Sequence, residues 1–168
     1  QNPLTREQGV SIVMEAANQV LPTSTLAEIP QSVFSAPFPD VAQDRWSALK
    51  IEQAKSLGIV TGDFGTGNFR PTDNLSRAEY MAMLNKLARL SELAKEADAE
   101  GATPLPDDAT ALIPNIPDPP TFTDIGGHWG EAVITEMASW CRVATPVNET
   151  GTSFAPESDI LRDYAAAA

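Results

Sequence analysis

Phe38-Pro39-Asp40-Val41, followed by Trp46, Ile51, Phe69-Arg70-Pro71 and Arg77, is a pattern that this chain writes twice. The second version reads Phe122-Thr123-Asp124-Ile125, then Trp129, Ile134, Phe154-Ala155-Pro156 and Arg162. The offsets are 84 at Phe38/Phe122, 83 at Trp46/Trp129 and 85 at both Pro71/Pro156 and Arg77/Arg162. Small insertions and deletions in loops produce such drift, whereas chance matches scatter. The chain opens on a piece of a third version: Pro3-Leu4-Thr5-Arg6-Glu7-Gln8 matches Pro71 followed by Leu75-Ser76-Arg77-Ala78-Glu79. Repeats of this kind bury their apolar faces against one another, so the array is the functional unit.

Each version ends by starting a helix. Arg6 to Val20 places Val10, Val13, Met14, Ala17 and Val20 on one helical face. Thr5 with Gln8, and Ser76 with Glu79, have the spacing of a capping box, which satisfies helix N–H groups that have no partner within the helix. The recurring Ser/Thr-Arg-x-Glu/Gln run thus has a structural meaning before any functional one. An earlier helix is expected over about Arg45–Leu57, capped by Asp44 and stopped by Gly58. Its counterpart begins near His128 and carries Trp129, Val133, Met137 and Trp140. The helix from Arg77 is expected to run past Ala94 toward Glu100. Between the helices of the complete repeat, four glycines permit tight turns and Phe69 plugs back into the core.

The expected division is 1–21, the last helix of a preceding repeat; 22–37, a linker; 38–90, a complete repeat; 91–121, an acidic Pro-rich linker; and 122–168, a divergent, truncated repeat. Six prolines between Gly101 and Pro120 make that stretch extended, with Ala111-Leu112-Ile113 able to dock locally.

Charge narrows the function. The 168 residues carry a net charge of -12, and seven acids against the single Lys95 between Ser91 and Thr121 account for half of it. No basic cluster exists to neutralise phosphates, which excludes nucleic acid as a partner, and simple adsorption to anionic lipid is disfavoured. No apolar run approaches the roughly 18 residues a membrane span needs. Cys141 is alone, so neither an intrachain disulfide nor a cysteine-based metal site is expected. Because Gln1 falls inside a repeat, the chain reads as a fragment or processed form.

A Phe-x-Asp-Val start, a Trp-bearing helix, Gly-Ile-x-x-Gly at 58–62, Gly-x-Phe-x-Pro at 67–71 and Ser-Arg-Ala-Glu at 76–79 resemble the S-layer homology (SLH) domain. The resemblance is close over Phe38 to about Leu90, loose over Phe122 to Tyr164, and covers one helix over Gln1 to Val20. It implies a mostly α fold: helix-loop-helix repeats packed as a pseudo-symmetric helical bundle joined by Pro-rich linkers. It further implies binding of an acidic cell-wall glycan in grooves between copies, with the motif arginines Arg77, Arg6 and Arg162 as anion contacts. A guanidinium beside free N–H groups of a helix start suits a carboxylate. Trp46 and Trp129 would line or support those grooves, although as residues they read more readily as core anchors.

The last copy departs from the pattern. Counting twelve residues from each Trp puts Cys141 at the Gly58 position, and Leu161 and Tyr164 stand at Ser76 and Glu79. It keeps Arg162 but loses the helix-stop glycine and the capping box, so one or two glycan sites are expected.

No catalytic constellation emerges. His128 is the only histidine and no strand–turn nucleophile accompanies it. Asp63-Phe64-Gly65-Thr66-Gly67-Asn68 lacks the acidic ligands of a calcium loop. No enzyme, metal or cofactor is expected. The leading expectation is a non-catalytic module anchoring a larger protein to the cell envelope, at its periplasmic face. The alternative is an SLH-derived structural subunit contacting the protein subunits of a larger membrane-associated assembly in a thylakoid or plastid setting, since the acidic, linker-rich style is similar to cyanobacterial sequences.

Overall fold

A computed structural model describes residues 2–98, 118–140, 143–144 and 151–167. The protein is mostly helical over those residues, with elements α1 (Arg6–Val20), α2 (Thr23–Glu28), α3 (Ala48–Ser56), α4 (Arg77–Asp98), α5 (Glu131–Ser139) and α6 (Arg162–Ala167). Extended pairing among the described residues is limited to isolated bridges. Most of the Pro-rich stretch, Cys141 and part of the connection from α5 to Phe154 lie outside the described residues.

The three segments that precede α1, α4 and α6 meet at the centre. The Leu4 N–H donates to Ile160 O at 3.0 Å, the Ile160 N–H to Leu75 O at 2.8 Å, and the Leu75 N–H to Leu4 O at 2.9 Å. These three hydrogen bonds close a ring, and the side chains of Leu4, Leu75 and Ile160 are buried around it. Burial of apolar side chains favours the arrangement, and the ring satisfies backbone groups that would otherwise be stranded in the core.

From the ring, α1 packs on α3 and α4, and α4 packs on α5. Helix α1 turns Val10, Val13, Met14 and Ala17 inward, as the helical periodicity requires. Gly9 lets it approach the centre, since a Cβ there would fall 2.2 Å from Leu75 Cδ2. Helix α4 buries Ala78, Tyr80, Met81 and Leu87 and extends to Asp98, as expected from its sequence. Both capping residues act: Gln8 Oε1 accepts from the Thr5 N–H at 3.1 Å, and Ser76 and Glu79 exchange bonds at 3.0 and 3.2 Å.

The earlier helices start later than their sequences suggest. Helix α3 begins at Ala48, with Ser47 before it, instead of at Arg45 with Asp44 as cap. The Arg45 N–H donates to Ala42 O and the Ala48 N–H to Arg45 O, so the chain takes tight three-residue turns there. The same turns recur at His128 to Ile125 and at Glu131 to His128, and α5 begins at Glu131. Gly58 does end α3, at φ 69°, a left-handed conformation that costs glycine little. Between α1 and α3 lies α2, which the sequence reading did not anticipate. Its flank is held to the body by Gln53 Nε2 donating to Pro30 O at 2.9 Å, and by burial of Ile29.

Candidate functional site: two helix–loop junctions

Each Phe-x-Pro turn is built by the aspartate of the Phe-x-Asp start. The Asp40 carboxylate accepts from the N–H groups of Phe69 and Arg70 at 2.8 and 2.7 Å. Asp124 accepts from those of Phe154 and Ala155 at the same two distances. This clamp fixes Arg70 and Ala155 at φ 58° and 54°, where side chains are strained. Phe69 and Phe154 are thereby driven into the core, against Phe38 and Phe122 with ring centroids 5.4 and 5.2 Å apart. Burial works against ionisation of Asp124, yet the donors from Phe154, Ser153 and Ala155 hold its carboxyl down at about 2.

Each turn then receives the start of a helix from another part of the chain. At the first junction the N–H groups of Arg6 and Glu7 donate to Asp73 O and Pro71 O, at 2.9 and 3.1 Å. At the second, those of Arg77 and Ala78 donate to Ser158 O and Pro156 O, both at 3.0 Å. The helix-start N–H groups expected to lie free beside the arginines are therefore already occupied. An anion at either junction has to be recognised by side chains.

The side chains differ between the two. Arg6 is buried: its Nε donates to Phe69 O at 2.8 Å, its Cζ lies 5.0 Å from the Phe69 ring centre, and its guanidinium pairs with Glu79. Burial lowers its pKa, with Glu79 acting in the opposite direction. Beside it, Arg70 is held by Asp63 at 2.7 Å and Asp73 at 3.1 Å, and reaches Glu79 at 3.4 Å. The buried Glu7 accepts from Arg45 at 2.7 and 2.8 Å and from Ser47 Oγ at 2.5 Å. Burial alone would push Glu7 up, but these hydrogen bonds hold it below the usual carboxylate range. The first junction is thus a filled ionic network.

At the second junction the Arg77 guanidinium lies on two rings, with Cζ 4.7 Å from the centre of Phe154 and 4.1 Å from that of Tyr164. Such cation–π contacts strengthen as the charge is desolvated, and the Arg77 Nε is buried. Arg77 is half-buried and borders a cleft of about 270 Å³ shared with Ala155, Ser158, Asp163 and Tyr164. Tyr164 is fixed by its hydroxyl, which donates to Ala144 O at 3.0 Å. Where Glu7 faces Ser47 at the first junction, Ala78 faces Gly130 at the second, and a Cβ on Gly130 would stand 3.4 Å from Ala78 Cβ. His128 Nδ1 accepts the Gly130 N–H at 3.0 Å, leaving Nε2 to donate to Glu157 at 2.6 Å. The histidine is a bracket between turn and helix start.

Of the residues expected to bind a ligand, Arg6 is enclosed, Arg77 borders a cleft, and Arg162 is exposed at the start of α6. Trp46 and Trp129 are not core anchors: they are 64% and 61% exposed, in the turns that precede α3 and α5. The turns that delay those helices also rotate the indoles outward. Sequence reasoning missed the Asp40 and Asp124 clamps and the role of Tyr164. The signal for the clamps was present, as a Phe-x-Asp preceding each Phe-x-Pro by about thirty residues. No cluster of metal-ligating side chains exists among the described residues, and no described helix is long and apolar enough to cross a membrane.

Residues 37–81 match the sequence model of the S-layer homology domain. This stretch contains the Asp40 clamp, the first Phe-x-Pro turn and the start of α4. The chain is also similar to cell surface glycoprotein 1 of Acetivibrio thermocellus, 32% identical over 105 residues, covering 62% of this chain and 4% of that protein. An amylopullulanase of Thermoanaerobacterium thermosulfurigenes is 30% identical over 142 residues, 84% of this chain and 6% of the enzyme. An uncharacterized cell wall amidase of Bacillus anthracis is 25% identical over 122 residues, 72% of this chain and 18% of that protein. The chain therefore spans less than a fifth of each relative's length.

Proposed function

We propose that this chain is a non-catalytic anchoring segment that holds a larger protein to the cell envelope, accepting an acidic cell-wall glycan at the Arg77 cleft. The observation that carries the reading is the Arg77 guanidinium lying on the rings of Phe154 and Tyr164 at the edge of a cleft large enough for a sugar-sized group. It is supported by the S-layer homology match over 37–81 and by relatives named for the cell surface and the cell wall. Two of the relatives are named as enzymes, but this chain matches only small parts of them. A shared segment within proteins of different activities suits an anchor better than a catalyst. In this reading the repeats form a pseudo-threefold bundle, with the hydrogen-bond ring of Leu4, Leu75 and Ile160 on its axis. The relatives do not favour the structural-subunit alternative or a thylakoid setting.

The test is a pull-down on purified envelope glycan, with the intact chain beside Arg77→Ala and circular dichroism to establish that both are folded. Retention of the intact chain, reduced at least tenfold in Arg77→Ala, is the expected result. A folded chain that the glycan does not retain would end this reading.

A further inference from the structure

The connectors that lead into the two Phe-x-Asp starts carry the same dipeptide at the same place. Ile29-Pro30 stands nine and eight residues before Phe38, and Ile113-Pro114 stands nine and eight residues before Phe122. Ala27 and Ala111 correspond as well, two residues before each isoleucine. The first connector is docked on the body. Ile29 is buried while Ala27 and Glu28 beside it are exposed, and Pro30 O accepts at 2.9 Å from Gln53 Nε2, in the last turn of α3. Farther along, Gln43 Nε2 donates to Val33 O and Lys55 Nζ to Pro37 O, both at 2.6 Å. Ile113 and Pro114 of the second connector lie outside the described residues.

The described residues leave an open place at the matching position. An apolar groove of about 510 Å³ is lined by Val20 of α1, by Leu87, Ala88 and Ser91 of α4, and by Trp140 and Val143 beyond α5. Trp140 and Val143 follow Trp129 by eleven and fourteen residues, as Leu57 and Val60 follow Trp46. The groove thus lies at the end of α5, as the docked connector lies at the end of α3. Reach is ample. Ser91 is seven residues before Asp98, about 10 Å along α4, and the fifteen residues from Asp98 to Ile113 extend to about 50 Å. A tethered apolar segment also meets the groove at high effective concentration, which a free partner does not match.

We propose that this groove is the docking site of the chain's own second connector, with Ile113 inserted against Trp140 and Leu112 turned outward in the place of Glu28. The hold on the second connector differs from that on the first. Glu136 stands where α3 has Gln53, seven residues after the Trp, and its carboxylate already accepts from Asn85 Nδ2 and Arg89 Nη2 at 2.9 and 2.5 Å. A carboxylate cannot donate to Pro114 O as the Gln53 amide donates to Pro30 O, so burial of the Ile113 side chain carries the docking. The inference is independent of the anchoring reading, since it uses neither junction.

The experiment uses the full chain with Trp46→Phe and Trp129→Phe, which leaves Trp140 as the single tryptophan, and adds Ile113→Asp or Leu112→Asp to it. Ile113→Asp should move Trp140 emission to longer wavelength and lower the folding equilibrium constant in urea by about tenfold or more. Leu112→Asp should leave the emission in place and the constant within about twofold. In the parent chain, a nuclear Overhauser effect should join the Ile113 δ1 methyl to the Trp140 indole and persist on dilution. Equal responses to the two aspartates, or no effect between Ile113 and Trp140, would overturn the proposal. So would a contact that disappears on dilution, which would hand the groove to a second copy of the chain.

Discussion

The junction built on Arg6 and the junction built on Arg77 begin from the same chain geometry and arrive at different chemistry. In both, an aspartate clamps a Phe-x-Pro turn, and in both two N–H groups of a helix start donate to the carbonyls of that turn. Glu79 and Arg70 at one, against Tyr164 and Ala155 at the other, separate an ionic lock from an open cleft. Backbone hydrogen bonding thus supplies the frame twice, while two side chains per junction decide whether the frame is filled by ion pairs or borders a cleft. A guanidinium in a buried salt bridge is committed to structure, since removing its partner strands a charge away from water.

The largest expected effect breaks the first junction. Glu79→Ala leaves the enclosed Arg6 without its carboxylate and also removes one half of the capping box at α4. The cost should be about 3 kcal/mol, the scale of breaking a buried ion pair by deleting one member. Tyr164→Phe, which removes only the hydroxyl bond to Ala144 O, should cost about 1 kcal/mol. Urea unfolding of both variants against the parent chain measures the difference. Equal losses would mean that the two junctions hold the fold alike and that the lock-and-cleft distinction is wrong.

A smaller effect, graded by pH, sharpens the comparison at the level of the clamps. The Asp124 carboxyl is depressed to about 2 from an ordinary 3.8. A depressed carboxylate contributes its stability fully above the ordinary value, and the contribution is lost as pH falls through the folded one. The second segment should therefore loosen between about pH 4 and pH 2, while the intact chain at pH 6 is unaffected. Glu7 is also depressed, below its ordinary 4.5, so the first junction adds acid sensitivity of the same sign. Asp124→Asn should flatten the pH 4 to pH 2 portion of the unfolding curve followed by far-UV circular dichroism. A curve of unchanged steepness would exclude Asp124 as a source of the acid response.

How much of this could be read from the residues depends on whether the controlling interaction is local. The helices α1 and α4 were legible because apolar periodicity and capping boxes act within a few positions. So was the inward placement of Phe69, but Phe64 in the same glycine-rich loop stays fully exposed, so it is the clamp by Asp40, and not aromatic character alone, that decides which ring is buried. The starts of α3 and α5 were not, since the turns at Arg45 and His128 are tied to side chains far away in the chain: Arg45 and Ser47 bond Glu7, and His128 bonds Glu157. The arginine motif was visible three times, yet its local spacing is the same whether the guanidinium is enclosed or borders a cleft. That outcome is set by a residue more than seventy positions away in each case, Glu79 for Arg6 and Tyr164 for Arg77. Tyr164 was visible in the sequence, where together with Leu161 it read as loss of a capping box; only the folded chain brings it onto Arg77.

The smallest expected effect concerns the two tryptophans, which the tight turns place outward instead of in the core. Trp129 supports little packing at 61% exposure, so Trp129→Ala should change stability by about 0.5 kcal/mol or less. Trp46, at 64% exposure, also hydrogen-bonds the buried Glu7, and Trp46→Ala should cost up to about 1 kcal/mol. Their value lies in the contrast. Trp46 adjoins the filled Arg6 junction, through Arg45 and Ser47 on Glu7, whereas Trp129 adjoins the open one, through Gly130 against Ala78. An exposed indole beside an occupied site supplies a flat apolar face for a sugar ring, and its removal weakens retention without unfolding the chain. Trp129→Ala should therefore lower retention on envelope glycan about threefold or more, while Trp46→Ala leaves it within error. The reverse order would move the binding face to the first junction, where the enclosed Arg6 could not be the anion contact, and the comparison would have to be rebuilt around Trp46.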